Sequence, residues 1–122
     1  MKIGIDIGTK DHTAVMLTDP PHAWVDVLTE RQRQQDAEGW TPEHDDAYQA
    51  GDLATAASCY AFHAGNHSRQ APRHLPPPAW PWAKTWWKPT DPRRALVKAG
   101  ALILAEIERL DRAEAAKGKR GA

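Results

Sequence analysis

The chain has 122 residues, in which 16 Lys and Arg balance 16 Asp and Glu, together with six tryptophans and a single cysteine, Cys59. This length fits one domain, and the balanced charge excludes a global positive field that would attract duplex nucleic acid or an anionic membrane surface. No apolar run approaches the ~20 residues of a membrane span, and a lone cysteine suits a reducing compartment. We therefore expect a cytoplasmic protein that forms one domain over residues 1–122.

Residues 1–18 alternate apolar with polar or small side chains, first through Ile3, Ile5 and Ile7 and again up to Leu17. This period of two predicts a β-hairpin with one apolar face. A hairpin alone is marginal in water, so we expect that face to pack on helices or the hairpin edge to pair with a second copy. The pattern predicts an α+β domain and a homodimer.

Two helices are predicted next, together covering 19–64. The Asp19–Pro20 pair is typical of a helix start, and Gly39 of a helix end. The Thr41–Pro42 pair repeats the start signal and predicts a second helix to about residue 64, with a kink at Gly51.

The third and clearest predicted helix covers 91–113, because an aspartate and a proline at its start precede a long run of helical periodicity. Residues 65–90 contain three consecutive prolines and show no apolar period, so they predict a long, exposed and mobile loop. Residues 114–122 are expected to form a flexible, basic tail. The stripe predicted on the third helix consists of Leu96, Val97, Gly100, Ile103, Leu104, Ile107 and Leu110.

The Pro/Trp-rich segment 76–89 is the most distinctive part of the chain, since it holds four of the six tryptophans. Rigid indoles beside cations favour recognition of a flat, anionic ligand such as a nucleotide. The same indoles also suit the core of a small domain that has few other large apolar residues. Both interpretations remain open from the residues alone.

Eight side chains combine stacking surfaces with cationic forks for phosphate, and we take them as the candidate ligand site. Two of them, Arg93 and Arg94, lie in the first turn of a predicted helix, where positive charge opposes the helix dipole. Residues placed against such a local preference are expected at functional sites. The predicted site residues are Arg31, Trp40, His44, Trp86, Trp87, Lys88, Arg93 and Arg94.

An alternative site lies at Glu43–Asp46, where His44, Asp45 and Asp46 are candidate metal ligands. The His-Asp pair resembles half of the pattern in HD-type metal phosphohydrolases, and the run also resembles the E-x-x-D element of MazG-like nucleotide pyrophosphatases. The second acidic helix of the MazG-like pattern is missing, because Glu106 and Glu108 cannot share one helix face. No catalytic residue and no cofactor is therefore predicted.

Three segments carry a resemblance to other proteins: Glu38–Asp46, Trp86–Pro89 and the helix from Arg94 to Leu110. Through them the chain resembles a group of small proteins encoded by phages and prophages, over about two-thirds of its length. It is also similar, through Glu38-Gly39-Trp40 and the later Asp-Pro-Arg helix start, to the ryanodine-receptor repeat domain. The second resemblance implies a helical ligand-binding module.

Together these features predict a phage accessory protein of the bacterial host cytosol. It would act in anti-defence, by binding and sequestering a nucleotide-derived immune signal such as a cyclic ADP-ribose isomer or a cyclic oligonucleotide, without turnover. One alternative is a protein-binding inhibitor of a host defence complex, of the anti-CRISPR type, with the exposed Trp loop as its hot spot. The other is a metal-dependent nucleotide phosphohydrolase.

Overall fold

The computed structural model describes, in order along the chain, residues 3–6, 14–17, 19–47, 51–66 and 75–120. At 3–6, 14–17, 119 and 120 the description is confined to the backbone. Within these residues the chain forms two short strands, four α-helices and one 3₁₀ turn.

Strands β1 (Ile3–Asp6) and β2 (Ala14–Leu17) pair antiparallel, with Ile3 opposite Leu17. The prediction of an α+β domain built on an N-terminal hairpin is nevertheless wrong. From residue 19 onward the described chain is helical and contains no sheet, so the fold class is mostly α. Alternation with a period of two indicates an extended backbone locally, but it does not show that the strands contribute to the hydrophobic core. The packing in this fold is between helices.

Helix α1 spans His22–Glu38 and starts slightly later than predicted, after Pro21. It ends at Gly39, whose φ of 71° lies in the left-handed region that glycine adopts without a steric penalty. The predicted helix end at Gly39 is therefore confirmed.

Helix α2 is one turn, Pro42–Asp45, and helix α3 spans Asp52–Gly65. The hydroxyl of Thr41 accepts the His44 backbone N–H at 3.3 Å and so caps α2. Gly51 has a φ of 86° and lies at the start of α3. The predicted single helix with a kink is wrong, because a left-handed residue cannot continue a right-handed helix.

Helix α4 spans Pro92–Arg120. Its first turn is capped by Asp91, whose Oδ1 accepts the Arg94 backbone N–H at 3.0 Å. The predicted start is confirmed, but the helix continues well past residue 113 into the predicted flexible tail. None of the described helices is both long and apolar enough to cross a bilayer.

The core forms where α3 and α4 pack together through alanines, all at most 3% exposed. Small side chains at these positions allow the two helices to approach closely. Leu53 and Leu102 fill the same interface. The alanines are Ala56 and Ala57 on α3 and Ala95, Ala99 and Ala105 on α4.

The Pro/Trp-rich segment closes this core instead of remaining a fully exposed loop. Its only regular structure among the described residues 75–90 is a 3₁₀ turn, Lys84–Trp86. Trp80 and Trp87 are buried against Tyr60, whereas Trp86 is 46% exposed. Trp80 and Trp87 therefore serve as core residues, whereas Trp86 stays accessible, as the ligand-binding interpretation requires.

Candidate functional site

An indole-lined pocket opens where the end of α1, helix α2 and the Pro/Trp-rich segment meet. We call it the Trp pocket, and its volume is about 250 Å³. Among the described residues, four aromatic rings, one carboxylate and one methyl group border it. The lining residues are Glu38, Trp40, His44, Trp82, Ala83 and Trp86.

The turn after α1 sets the position of Trp40 in this pocket. The Trp40 backbone N–H donates to the Gln34 carbonyl at 3.0 Å, and its own carbonyl accepts from Nη1 of Arg31 at 3.2 Å. The Trp40 ring stacks on the His44 ring, with centroids 6.5 Å apart and planes 10° apart. Left-handed Gly39 thus precedes a turn in which Trp40 faces α2.

The opposite wall is held in place by a chain of aromatic contacts. Trp82 lies 5.5 Å from Trp40 and 5.3 Å from Trp80, and Trp80 lies 5.1 Å from Trp87. The Trp80–Trp82 and Trp80–Trp87 pairs are edge-to-face, a geometry that stabilises ring pairs beyond simple area burial. Trp80 Nε1 also donates to the Ala83 carbonyl at 3.1 Å. The wall is thus anchored in the core, and Trp86 provides the accessible outer surface.

A group of charged side chains, which we call the charge cluster, lies directly beside the Trp pocket. Glu38 and Trp86 border both the Trp pocket and a small adjoining cavity of about 10 Å³ among these charges. Among the side chains that the structure describes, four cations accompany two carboxylates, which leaves an excess of positive charge. The members are Glu30, Arg33, Glu38, Lys88, Arg94 and Lys98.

Glu30 lies at the centre of the charge cluster. Its fully buried carboxylate accepts from Nε and Nη2 of Arg33 at 2.7 and 2.8 Å, and also from Arg94. Burial alone would raise the pKa of Glu30, but the hydrogen bonds and charges of Arg33 and Arg94 lower it below its usual value. Glu30 therefore remains ionised and fixes two arginines beside the pocket.

The two lysines of the charge cluster are held less tightly. Lys88 Nζ lies 3.5 Å from Glu38 Oε1 and 5.9 Å from the Trp86 ring centroid, and its side chain is 56% exposed. Lys98 Nζ donates to the Lys88 carbonyl at 3.1 Å and lies 5.4 Å from the Tyr60 ring centroid. Burial, followed by the charge of Arg94, lowers the pKa of Lys98. Each lysine ammonium group can therefore form an additional favourable interaction with an anion.

The candidate metal site is organised around an arginine. Asp45 is buried, and its Oδ2 accepts from Arg31 Nη2 at 2.8 Å, while Nδ1 of His44 lies 3.5 Å from its Oδ1. Burial raises the pKa of Asp45, although Arg31 and His44 oppose this effect. Asp46 is bound by Arg112 at 2.7 Å. Among the described residues, no three His, Cys, Asp or Glu side chains form a metal-binding group.

The structure brings together only part of the predicted ligand site. Trp40, His44 and Trp86 line the Trp pocket, and Lys88 lies against its outer wall. Trp87 lies in the core.

The three predicted arginines are each bound to a carboxylate of the protein. Arg31 is paired with Asp45 and also contacts Glu108 at 3.3 Å. Arg93 is paired with Asp26 at 2.8 Å, and Arg94 is paired with Glu30. None of the three borders the Trp pocket, so direct phosphate contacts there depend on other cations.

Sequence reasoning did not select Glu38 or Trp82 for the pocket, or Arg33 and Lys98 for the charge cluster. Trp82 lies in the segment that was singled out, and only its position in the fold distinguishes it from Trp80. Arg33 and Glu38 are on α1 within reach of one another, at 3.2 Å. Their spacing of five residues gives no strong helix-face signal.

Comparison of the chain with protein-family models, with curated proteins and with solved structures finds no match.

Proposed function

We propose that this protein binds and sequesters a nucleotide-type ligand in the Trp pocket without turning it over. The observation that carries the proposal is an indole-lined pocket directly beside a cluster with excess positive charge. Nucleotides join a flat, stackable base to an anionic phosphate, and both parts have a counterpart here.

The base would occupy the Trp pocket. A volume of about 250 Å³ accommodates a flat ring system, and Trp40, Trp82 and Trp86 offer it stacking surfaces. Stacking of a base on an aromatic side chain contributes about 1–3 kcal/mol. Glu38, at the boundary between pocket and charge cluster, can accept a hydrogen bond from an amino group on the base.

The phosphate would be bound on the side of Lys88. This lysine is exposed, adjoins the Trp86 wall and is backed by Arg33 and Lys98. A charge-assisted hydrogen bond to phosphate is stronger than a neutral one, and the neighbouring cations add to the local positive potential. In the absence of ligand, Glu38 partly neutralises Lys88, so binding requires an exchange of partners.

Sequestration is favoured over hydrolysis by the engagement of the acidic groups. The Glu38 carboxylate contacts Arg33 and Lys88, and the Asp45 carboxylate contacts Arg31. Joined to the resemblance with phage-encoded proteins, this favours a role in immune evasion. The protein would act as a sponge for a nucleotide-derived host signal such as a cyclic ADP-ribose isomer or a cyclic oligonucleotide.

The test is a titration of the purified protein with nucleosides, nucleotides, ADP-ribose isomers and cyclic oligonucleotides, followed by thermal shift and calorimetry. Trp86→Ala is expected to weaken binding by about 10- to 100-fold, which corresponds to the stacking energy of one indole. Trp24→Ala is the matched control, because Trp24 is also 46% exposed but lies outside the pocket. Equal losses for both variants would contradict the assignment of the pocket.

Lys88→Met separates the two halves of the site. It is expected to weaken binding of a nucleotide while leaving binding of the matching nucleoside unchanged. Chromatography of the recovered ligand then distinguishes the alternatives. Intact ligand supports sequestration, a cleaved product would favour the phosphohydrolase, and the absence of any shift would favour a protein target in a host defence complex.

A further inference from the structure

The outer face of α4 carries a stripe of large apolar side chains that no other described element covers. Each of them is about half exposed, between 48% and 53%. The opposite faces of α4 pack against α1 and α3, so the stripe points away from the core. We call this stripe the α4 stripe, and it consists of Leu96, Ile103, Ile107 and Leu110.

The α4 stripe has an internal symmetry. Leu96 and Leu110 lie at equal distances in sequence on either side of Ile103, and each step of seven residues is close to two helical turns. The three side chains therefore lie nearly in one line along the helix. Reversing the helix about Ile103 places a leucine where a leucine was, so these three positions are matched by an inverted copy. Ile107 lies beside this line, and its counterpart position, Ala99, is buried in the core.

Charges at the two ends of the stripe favour the same inverted arrangement. Arg93 lies beyond Leu96 at one end, whereas Asp111 and Glu114 lie beyond Leu110 at the other. Arg93 is 62% exposed, although it also contacts Asp26 in its own chain. In an antiparallel pair, Arg93 of one copy approaches Asp111 and Glu114 of the other. In a parallel pair, like charges would meet.

We propose that two copies of this chain form a dimer through antiparallel α4 helices, with the twofold axis beside Ile103. Such an interface is isologous, as is usual for twofold dimers. From Arg93 to Glu114 the contact extends for about 30 Å along α4, since each helical residue rises 1.5 Å. This interface is independent of the ligand proposed for the Trp pocket.

The first experiment measures molar mass by light scattering after size-exclusion chromatography over a range of protein concentrations. The dimer mass is expected for the unaltered chain, and Ile103→Glu is expected to raise the dimer dissociation constant by roughly 100-fold, as for a central interface residue. Phe62→Glu on α3 is the matched control, because Phe62 is also exposed and lies outside the stripe. A monomer at every concentration, or equal effects of both variants, would overturn the proposal.

Disulfide trapping tests the direction of the helices. Ile103→Cys should cross-link to itself under mild oxidation, because residue 103 meets its own copy at the twofold axis. Leu96→Cys alone should not cross-link, whereas a mixture of Leu96→Cys and Leu110→Cys should. The native Cys59 is buried and provides no competing thiol. Self-cross-linking of Leu96→Cys would indicate a parallel pair and would refute the antiparallel arrangement.

Discussion

Replacement of Glu30 by glutamine tests whether the charge cluster is held together by one buried carboxylate. The substitution keeps the shape of the side chain but removes its charge and places an amide NH₂ among donors. Besides the two bonds from Arg33 and the contact with Arg94, the carboxylate accepts from Gln34 Nε2 at 3.1 Å. All of these donors then face a partner that can satisfy only some of them.

The expected loss follows from burial. Removing one partner of a buried ion pair costs about 3–5 kcal/mol. The Arg33 and Arg94 side chains are 39% and 38% exposed, so water can replace part of what they lose. We therefore expect Glu30→Gln to lower the free energy of unfolding by about 2–3 kcal/mol, and the melting temperature by roughly 10 °C.

The assay is urea unfolding followed by circular dichroism, with linear extrapolation to water. Glu108→Gln is the control, because Glu108 is 45% exposed and contacts Arg31 at 3.3 Å. It is expected to cost about 1 kcal/mol or less, because Glu108 is accessible to water and Arg31 keeps its 2.8 Å ion pair with Asp45. If Glu30→Gln costs no more than Glu108→Gln, Glu30 does not hold the charge cluster together.

The pH dependence of the same variant provides an independent check. Because the pKa of Glu30 is lowered on folding, the ionised carboxylate stabilises the folded state above the pKa of the unfolded chain. That contribution is lost as the pH falls through the lowered pKa. The difference in stability between the unaltered protein and Glu30→Gln should therefore shrink on acidification, and a constant difference would contradict the sign of the shift.

Four further predictions concern three glycines and one buried phenol. Gly39→Ala should destabilise the protein by about 1–2 kcal/mol, because residue 39 has a positive φ. Gly118→Ala, in the exposed part of α4, should stabilise the protein by about 0.5–1 kcal/mol, because alanine favours a helix more than glycine does. Urea unfolding measures both changes. Gly100→Ala would place a Cβ 3.2 Å from Val27 Cγ2 and should lower the free energy of unfolding. If this loss of stability disappears when Gly100→Ala is combined with Val27→Ala, the contact with Val27 is its cause. Burial raises the pKa of Tyr60 to about 12. The difference between the phenolate absorbance titrations of the unaltered protein and of Tyr60→Phe should therefore show Tyr60 ionising well above pH 10. Because the raised pKa belongs to the folded state, the free energy of unfolding should fall as the pH rises from 10 toward 12.

Helix ends that depend on local chemistry were predictable from the sequence. Gly39 and the Asp91–Pro92 pair act through backbone conformation and capping within one turn, and both predictions agree with the structure. The separation of α2 from α3 was missed because Gly51 also suits a helical kink. The mostly α class was missed because the alternation in residues 1–18 says nothing about whether strands contribute to the packed core.

The role of an arginine was the least predictable part of the site. A guanidinium group pairs equally well with a carboxylate of the protein and with the phosphate of a ligand. Arg31 and Asp45 are 14 residues apart, and Glu30 and Arg94 are 64 apart, so only the tertiary fold shows that these arginines are already paired. Trp40, His44 and Trp86 were selected from the sequence by residue type alone. That they line one pocket became visible only in the tertiary fold.

The position of α4 in the packing has a consequence for synthesis in the cell. The main helix–helix contacts among the described residues all involve α4, which comes after α1, α2 and α3 in the chain. While these earlier helices emerge from the ribosome, the alanine surface of α3 lacks the helix against which it packs. At a typical ~5–20 residues per second, the 29 residues of α4 require a further few seconds. During that interval the α3 surface that packs on α4 stays exposed, and folding is expected to follow translation of α4.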